Sequence, residues 1–236
     1  MKWRALPGAL CDVLLPDQCV LCHTVVRPRP ADLLCAACRD ALPLTGSACR
    51  HCALPLAAPG VCGACSRRPL TTGVAVSALL HDGEARYLVH RLKFAHGMRE
   101  ARTLAYCLVR AVRERYTADA LPELVVPTPM SWRATVRRGH NQAVALAEYT
   151  GRVLAVPRAQ PLRRRHAPPQ RSLGRRDRLQ LRPDAFRVAR PVTAGHVALV
   201  DDVLTTGATA RAMVAVLRAA GVARVDVWCA TRAVLP

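Results

Sequence analysis

The sequence predicts an α/β protein, a mostly parallel sheet with helices on both faces, carried behind a small metal-held module. Three observations lead there. Eight of the 11 cysteines fall into four CxxC pairs within the first 65 residues. Beyond Pro69, β-rich apolar runs alternate with segments of helical periodicity, which is the pattern of a parallel sheet. Near the end, Val197-Ala198-Leu199-Val200 runs through Asp201-Asp202 into Val203-Leu204-Thr205-Thr206-Gly207-Ala208-Thr209, a buried strand turning into a helix. The composition shifts at Pro69, so the expected division is 1–70 for the module and 71–236 for the α/β domain.

The chain opens Met1-Lys2-Trp3-Arg4, and Pro7, Asp12 and Pro16 interrupt the apolar stretch that follows. With no small-residue cleavage site, this is expected to be a short amphipathic lead-in and not a signal peptide. The cysteine pairs are Cys19/Cys22, Cys35/Cys38, Cys49/Cys52 and Cys62/Cys65. Two CxxC turns supply the four thiolates of a tetrahedral zinc shell. Sequential pairing puts Cys19, Cys22, Cys35 and Cys38 on one ion and Cys49, Cys52, Cys62 and Cys65 on another, a double zinc ribbon. An interleaved pairing also satisfies the spacing. Redox dithiols and disulfides are the competing uses of such pairs. Metal spacing without an export signal points to a reducing cytoplasm. Eight thiolates fill both shells, so the zinc is expected to be structural and to supply folding energy to a segment poor in apolar residues.

After Pro69 the elements follow in order. Val74–Leu80 is a β-rich run. Glu84–Ala95 sets Tyr87, Leu88, Leu92 and Ala95 on one helical face, and Glu100–Arg113 does the same with Ala101, Leu104, Ala105, Leu108 and Val112. Leu124–Val126 is a short strand stopped by Pro127. Ala143, Leu146, Ala147, Val153 and Leu154 mark another helix. Arg163–Arg182 is polar and basic and reads as a long mobile loop. Phe186–Val188 and His196–Val200 are strands, with Asp201-Asp202 ending the second. The helix to Ala220 turns Met213, Val216, Leu217 and Ala220 inward and Arg211 and Arg218 outward. Arg224–Ala230 is the last strand.

The formal net charge is +19, and of the 35 cationic side chains only Lys2 and Lys93 are lysines. Such a field attracts nucleic acid, anionic membrane or polyphosphate. No apolar run approaches the ~20 residues of a membrane helix, so no membrane span is expected.

The 197–209 string carries the chemistry. In open parallel sheets ligands sit at the carboxyl ends of the strands. Thr205, Thr206 and Thr209 offer hydroxyls, Gly207 lets successive N–H groups converge, and a helix start adds partial positive charge, so a phosphate fits. Two adjacent carboxylates beside a phosphate need a cationic or donating partner, and ribose hydroxyls or Mg²⁺ answer that need. The plainer use of the same residues is a helix cap after a strand.

The whole string resembles the phosphoribosyl-diphosphate motif of type I phosphoribosyltransferases. Together with the cysteine-rich front, Arg138-Gly139-His140-Asn141-Gln142 and the Gln170…Ala185-Phe186 stretch, it is similar to one branch, the ComF family of competence-associated proteins. The resemblance covers nearly the whole chain. It implies a type I phosphoribosyltransferase fold in which Asp201 and Asp202 hold the ribose hydroxyls, directly or through Mg²⁺. It implies that Thr205, Thr206, Gly207, Ala208 and Thr209 cradle the 5′-phosphate. Thr128 and Pro129, in the Val126-Pro127-Thr128-Pro129 turn, resemble the loop that receives the diphosphate, with Arg133, Arg137 and Arg138 to neutralise it. Arg163–Leu173 resembles the closing loop, with Arg163, Arg165 and Gln170 as its contacts. His140 stands where the family usually has an aromatic residue, Arg165 and Ala167 where Lys and Thr are frequent, and Leu181 near a common Asn.

The resemblance implies two functions. One is pentosyl transfer, in which a nitrogen nucleophile displaces diphosphate from C1 of phosphoribosyl diphosphate and charge stabilisation does most of the catalysis. The other is a role in natural transformation, in which the protein grips single-stranded DNA and works with competence or DNA-processing proteins. Aromatic platforms for the second are sparse. Of Trp3, Trp132 and Trp228, Trp132 lies beside the diphosphate loop and is the best placed.

Overall fold

The computed structural model describes residues 17–27, 30–95, 97–116, 120–131, 135, 136, 138–165 and 185–234. The front module is a twofold repeat. In each half a CxxC turn is closed by a backbone bond, from Cys19 N to Thr24 O (2.8 Å) and from Cys49 N to Leu54 O (2.8 Å). His23 and Ala53, each four residues past the first cysteine, both take the left-handed conformation. Each second CxxC leads a single helical turn, α1 (Ala36–Asp40) after Cys35 and α2 (Gly63–Arg67) after Cys62.

The α/β part contains β1 (Ala75–Leu80), α3 (Gly83–Phe94), α4 (Met98–Arg115), β2 (Leu124–Pro127), α5 (Gln142–Leu154), β3 (Leu162–Arg164), β4 (Phe186–Val188), β5 (His196–Leu204), α6 (Ala208–Ala219) and β6 (Arg224–Arg232). Four strands form one parallel sheet in the order β1-β6-β5-β2. β5 and β6 are central and nearly continuous in apolar residues, as strands buried on both faces must be. Leu104, Leu108, Leu146 and Leu88 pack with Val76, Ala198, Val200 and Trp228 in one core, and Met213 and Leu217 of α6 pack with Leu199 and Val227 in another. The ribbons divide between them. Cys19, Val20 and Leu34 join the first core; Cys49, Cys52, Cys62 and Cys65 join the second.

Caps set the helix boundaries. Asp82 accepts from Gly83 N ahead of α3, and Asn141 Oδ1 accepts from Ala143 N (3.0 Å) ahead of α5. Four details differ from the sequence reading. Tyr87 is 43% exposed and Ala95 is exposed, while α3 buries Ala85, Leu88, Val89 and Leu92. α6 buries Ala210, Met213, Val214 and Leu217, with Val216 half-buried and Ala220 exposed. In both helices a stripe of the same period exists, turned by about one position, so that Leu88 and Leu217 are buried while their neighbours Tyr87 and Val216 are exposed or half-buried. β5 does not end at Asp201 but runs on to Leu204, because β6 keeps pairing with it as far as Arg232. Finally, Arg163 and Arg164 belong to β3, which pairs antiparallel with β4 in a separate two-stranded sheet; residues 166–184 of the expected loop lie outside the described residues.

The far end of the sheet holds a buried polar knot. Asp226 has no exposed surface and accepts from Val74 N (2.7 Å), Tyr116 Oη (2.5 Å), His196 Nε2 (2.6 Å) and Arg224 Nε (3.3 Å). Trp228 Nε1 donates to Tyr116 Oη (3.1 Å), and burial, then the Asp226 charge, raises the tyrosine well above its ordinary value. Gly73 is required there, since a Cβ would collide with the Asp226 carboxylate.

Candidate functional site: two zinc ribbons and a phosphate cradle

The four Sγ atoms of Cys19, Cys22, Cys35 and Cys38 lie within 4.8 Å of one another, and so do those of Cys49, Cys52, Cys62 and Cys65. Bonds of ~2.3 Å from a tetrahedral zinc set sulfur–sulfur edges near ~3.8 Å. The Cys22–Cys35 and Cys52–Cys62 separations are both 3.7 Å. Backbone N–H groups of Cys38 and Cys62 point at Cys35 Sγ (3.4 Å) and Cys49 Sγ (3.3 Å), as thiolate ligands require. The Thr24 hydroxyl and N–H pull Cys22 down to about 6, whereas burial and then the neighbouring thiols push Cys38 up. A dication removes that conflict. The quartets are sequential, two structural zinc sites, and the interleaved alternative is excluded.

The acid pair and the threonine turn stand at the carboxyl end of β5, flanked by the ends of β2 and β6. Asp201 is pushed up to about 8, by burial first and by the Asp202 carboxylate second. Its neighbour has a partner the sequence reading missed, for Lys93 Nζ, at the end of α3, lies 3.1 Å from Asp202 Oδ2. The adjacent carboxylates thus disfavour a second charge on Asp201, and the Lys93 ammonium lies against Asp202. The signal for Lys93 was in the sequence, as one of two lysines among 35 cations, but its helix gave no sign of which strand it would meet.

Thr128 binds the base of the pair. Its N–H and hydroxyl both donate to Val200 O (2.9 and 3.1 Å), and its side chain also touches Asp201. Asn141 Nδ2 donates to Thr128 O (3.0 Å), so the residue that caps α5 also holds this loop. Pro129 follows, half-buried. Arg138 points its guanidinium at Gln142 Oε1 (3.4 Å) and over the Phe94 ring. His140 lies with Nε2 3.0 Å from Leu92 O, which ties this segment to the last turn of α3. Arg133, Arg137 and Trp132 lie outside the described residues.

In the cradle, Thr205 and Thr206 are exposed, Gly207 is buried, and Ala208 and Thr209 are half-buried. Gly207 caps α6 in the left-handed conformation, φ 74°. A side chain there would also collide with Leu70, which comes from the exit of the second ribbon. Thr206 Oγ1 accepts from Ala208 N (3.3 Å). Arg232, buried, donates to Leu204 O (2.9 Å) and Thr205 O (2.7 Å) and also to Cys52 O (2.9 Å). One guanidinium thus joins the second zinc knuckle to the cradle, and Arg211 adds a reach to Pro69 O (3.3 Å). None of these ties was foreseen.

The closing-loop contacts are placed differently. Arg163 Nη1 donates to Gln160 O and Leu162 O (3.1 Å each), and Arg165, exposed, gives its N–H to Ala185 O (2.9 Å). Neither hydrogen-bonds to the acid pair or the cradle among the described residues; Gln170 lies outside them. A broad groove of about 1300 Å³ opens elsewhere, lined by Arg39, Leu44, Arg50, Ser77 and Arg110; it reaches the zinc ligand Cys49 but no residue of the acid pair or the threonine turn.

Comparison with known proteins places these features. Residues 10–66 match the double zinc ribbon domain. The chain is 34% identical over 227 residues to the DNA utilization protein YhgH of Salmonella typhimurium, covering 92% of this chain and 98% of that one. It is 31% identical over 232 residues to the protein of the same name from Escherichia coli K12. It is 33% identical over 208 residues to competence protein F of Haemophilus influenzae, covering 85% of this chain and 90% of that one. A solved structure of the allosteric regulatory enzyme of purine biosynthesis matches at 22% identity and TM-score 0.34, over 54% of this chain and 25% of that one. No helix among the described residues is long and apolar enough to cross a membrane. Two sequential zinc ribbons ahead of a parallel α/β sheet, and about a third of all residues shared along nearly the full length of these relatives, establish that the chain belongs to the ComF family.

Proposed function

We propose that the site at the end of β5 binds the ribose 5-phosphate part of phosphoribosyl diphosphate, in a protein that serves the uptake and use of DNA. The observation that carries this is the left-handed Gly207 between Thr206 and the start of α6, three residues beyond the end of β5 and five beyond an acid pair. The turn aims backbone N–H groups and the α6 dipole at one anion, and Thr205, Thr206 and Thr209 add hydroxyls. Asp201 and Asp202 suit ribose hydroxyls, whose O–H groups can donate to their carboxyl oxygens, and Asp201, raised by burial, can also donate. Their oxygens also suit Mg²⁺, which when bound with the ligand neutralises a diphosphate. Thr128 and Pro129 border the diphosphate side, with Arg133, Arg137 and Arg138 as counter-charges. Arg163, Arg165 and Gln170 are the proposed contacts of a closed state. In this reading 1–70 is the metal-held support and 71–236 the ligand-binding domain. Turnover, if it occurs, is pentosyl transfer to a nitrogen nucleophile.

Calorimetric titration of phosphoribosyl diphosphate with Mg²⁺ tests the proposal. Binding is expected in the parent and lost in Asp202→Asn. A parent that takes up no phosphoribosyl diphosphate or ribose 5-phosphate overturns it.

A second reading is favoured by the +19 charge and by relatives named for DNA utilization and competence: a protein that binds single-stranded DNA and keeps the phosphate site without turnover.

A further inference from the structure

The solvent face of α3 carries a row of residues that the phosphate site does not use. Tyr87, His90, Arg91 and Phe94 recur at the spacing of one helical face, and all four are exposed. The inward face is complete without them, since Ala85, Leu88, Val89 and Leu92 fill the core. Phe94 is 60% exposed and is one of only two phenylalanines in the chain. A lone exposed ring would need no explanation, but Phe94 lies in a row with Tyr87 and His90, and such a patch marks a contact surface.

The rings are also arranged. His90 and Phe94 lie with centroids 4.9 Å apart at 45°, and the Arg138 guanidinium sits 5.7 Å from the Phe94 centroid. Arg91 is held in place by Glu100 (3.2 Å). The row is joined to the site at two points. Lys93, the residue before Phe94, pairs with Asp202, and Leu92 O is bound by His140. From Tyr87 to Phe94 the helix rises about 10 Å, close to three base-to-base steps of ~3.4 Å.

Aromatic faces interleaved with cations, on a chain of charge +19, match one ligand chemistry: unpaired bases on an anionic backbone. A protein partner would gain little from the cations, and a duplex keeps its bases stacked. We propose that this face of α3, with Arg138 at its end, is a stacking platform for the bases of single-stranded DNA. The proposal rests on the second functional reading and names its surface.

Fluorescence polarisation of a labelled single-stranded oligonucleotide across a salt series tests it, using full-length, zinc-loaded protein. The double variant Tyr87→Ala/Phe94→Ala should bind ~tenfold or more weakly with the same log–log salt slope, since stacking releases no counterions. Its thermal midpoint should match the parent, because neither ring is in the core. Phe94→Trp should keep the affinity and show indole quenching on DNA addition. Equal affinity of parent and double variant, unquenched Phe94→Trp, or equal parental affinity for duplex of the same length would overturn the platform. A parent that binds no single strand at all overturns the DNA reading itself, which separates the two failures.

Discussion

Asp201 and Gly207 show how much single residues at the strand end are asked to do. Burial and the Asp202 charge push Asp201 up to about 8 from an ordinary 3.8, so the folded protein holds a proton that the unfolded chain has released. Between those values the folded state binds more protons, and its stability must fall as pH rises from about 4 toward about 8. Asp201→Asn should flatten that decline in the ligand-free protein. Denaturant unfolding at several pH values in this window reads it directly, and parallel curves for parent and variant would contradict the assignment. Gly207 is constrained twice, by its φ of 74° and by Leu70 beneath it. Gly207→Ala should cost ~1–3 kcal/mol in unfolding free energy and abolish ribose 5-phosphate binding. The acid pair and the glycine turn were legible as a pattern from residue type and spacing; the proton on Asp201 and the Leu70 contact were not. Lys93 and Arg232 were not, because a single cation carries no pattern of its own and its partner is fixed only when distant elements meet.

The elements themselves were largely written in their periodicity. Strand and helix alternate as expected, and the caps at Asp82 and Asn141 are of the residue types that favour them. Periodicity was less able to resolve rotation. It put Tyr87 on the inner face of α3, although seven residues separate it from Phe94 and both lie outside. The ribbons behave as elements held by metal. Metal analysis should find about two zinc ions per chain. Chelation should unfold the module and, through Arg232 and Leu70, weaken ribose 5-phosphate binding without any change in the ligand's own contacts. Unchanged binding by zinc-free protein would show that those ties do not support the cradle. At the opposite end of the sheet, Asp226→Ala should destabilise by ~3–5 kcal/mol, since it leaves His196, Tyr116 and Arg224 facing an emptied site. Ligand affinity in the protein that remains folded should be unaltered, because the knot lies near the start of β6 and the site beyond its carboxyl end.

At the scale of the molecule, charge and architecture divide the work. The parallel sheet gathers the acid pair, the cradle and Lys93 at one end, as strand polarity requires. The arginine excess, a net charge of +19, would supply long-range attraction for an anionic partner. If single-stranded DNA is bound, affinity should fall steeply and log-linearly with salt; a flat response would remove the electrostatic argument for that partner.

The sequence by itself determined the zinc ligands, most of the order of strands and helices, the glycine turn after the acid pair and the family, because each depends on residue types at short, fixed spacing. Only the tertiary structure decided that the quartets are sequential, that Lys93 neutralises Asp202, that Arg232 binds a zinc knuckle to the cradle, and that Tyr87 and Phe94 face solvent. Those depend on how distant segments pack, and the energy that selects one packing is shared among many side chains rather than recorded in any local pattern.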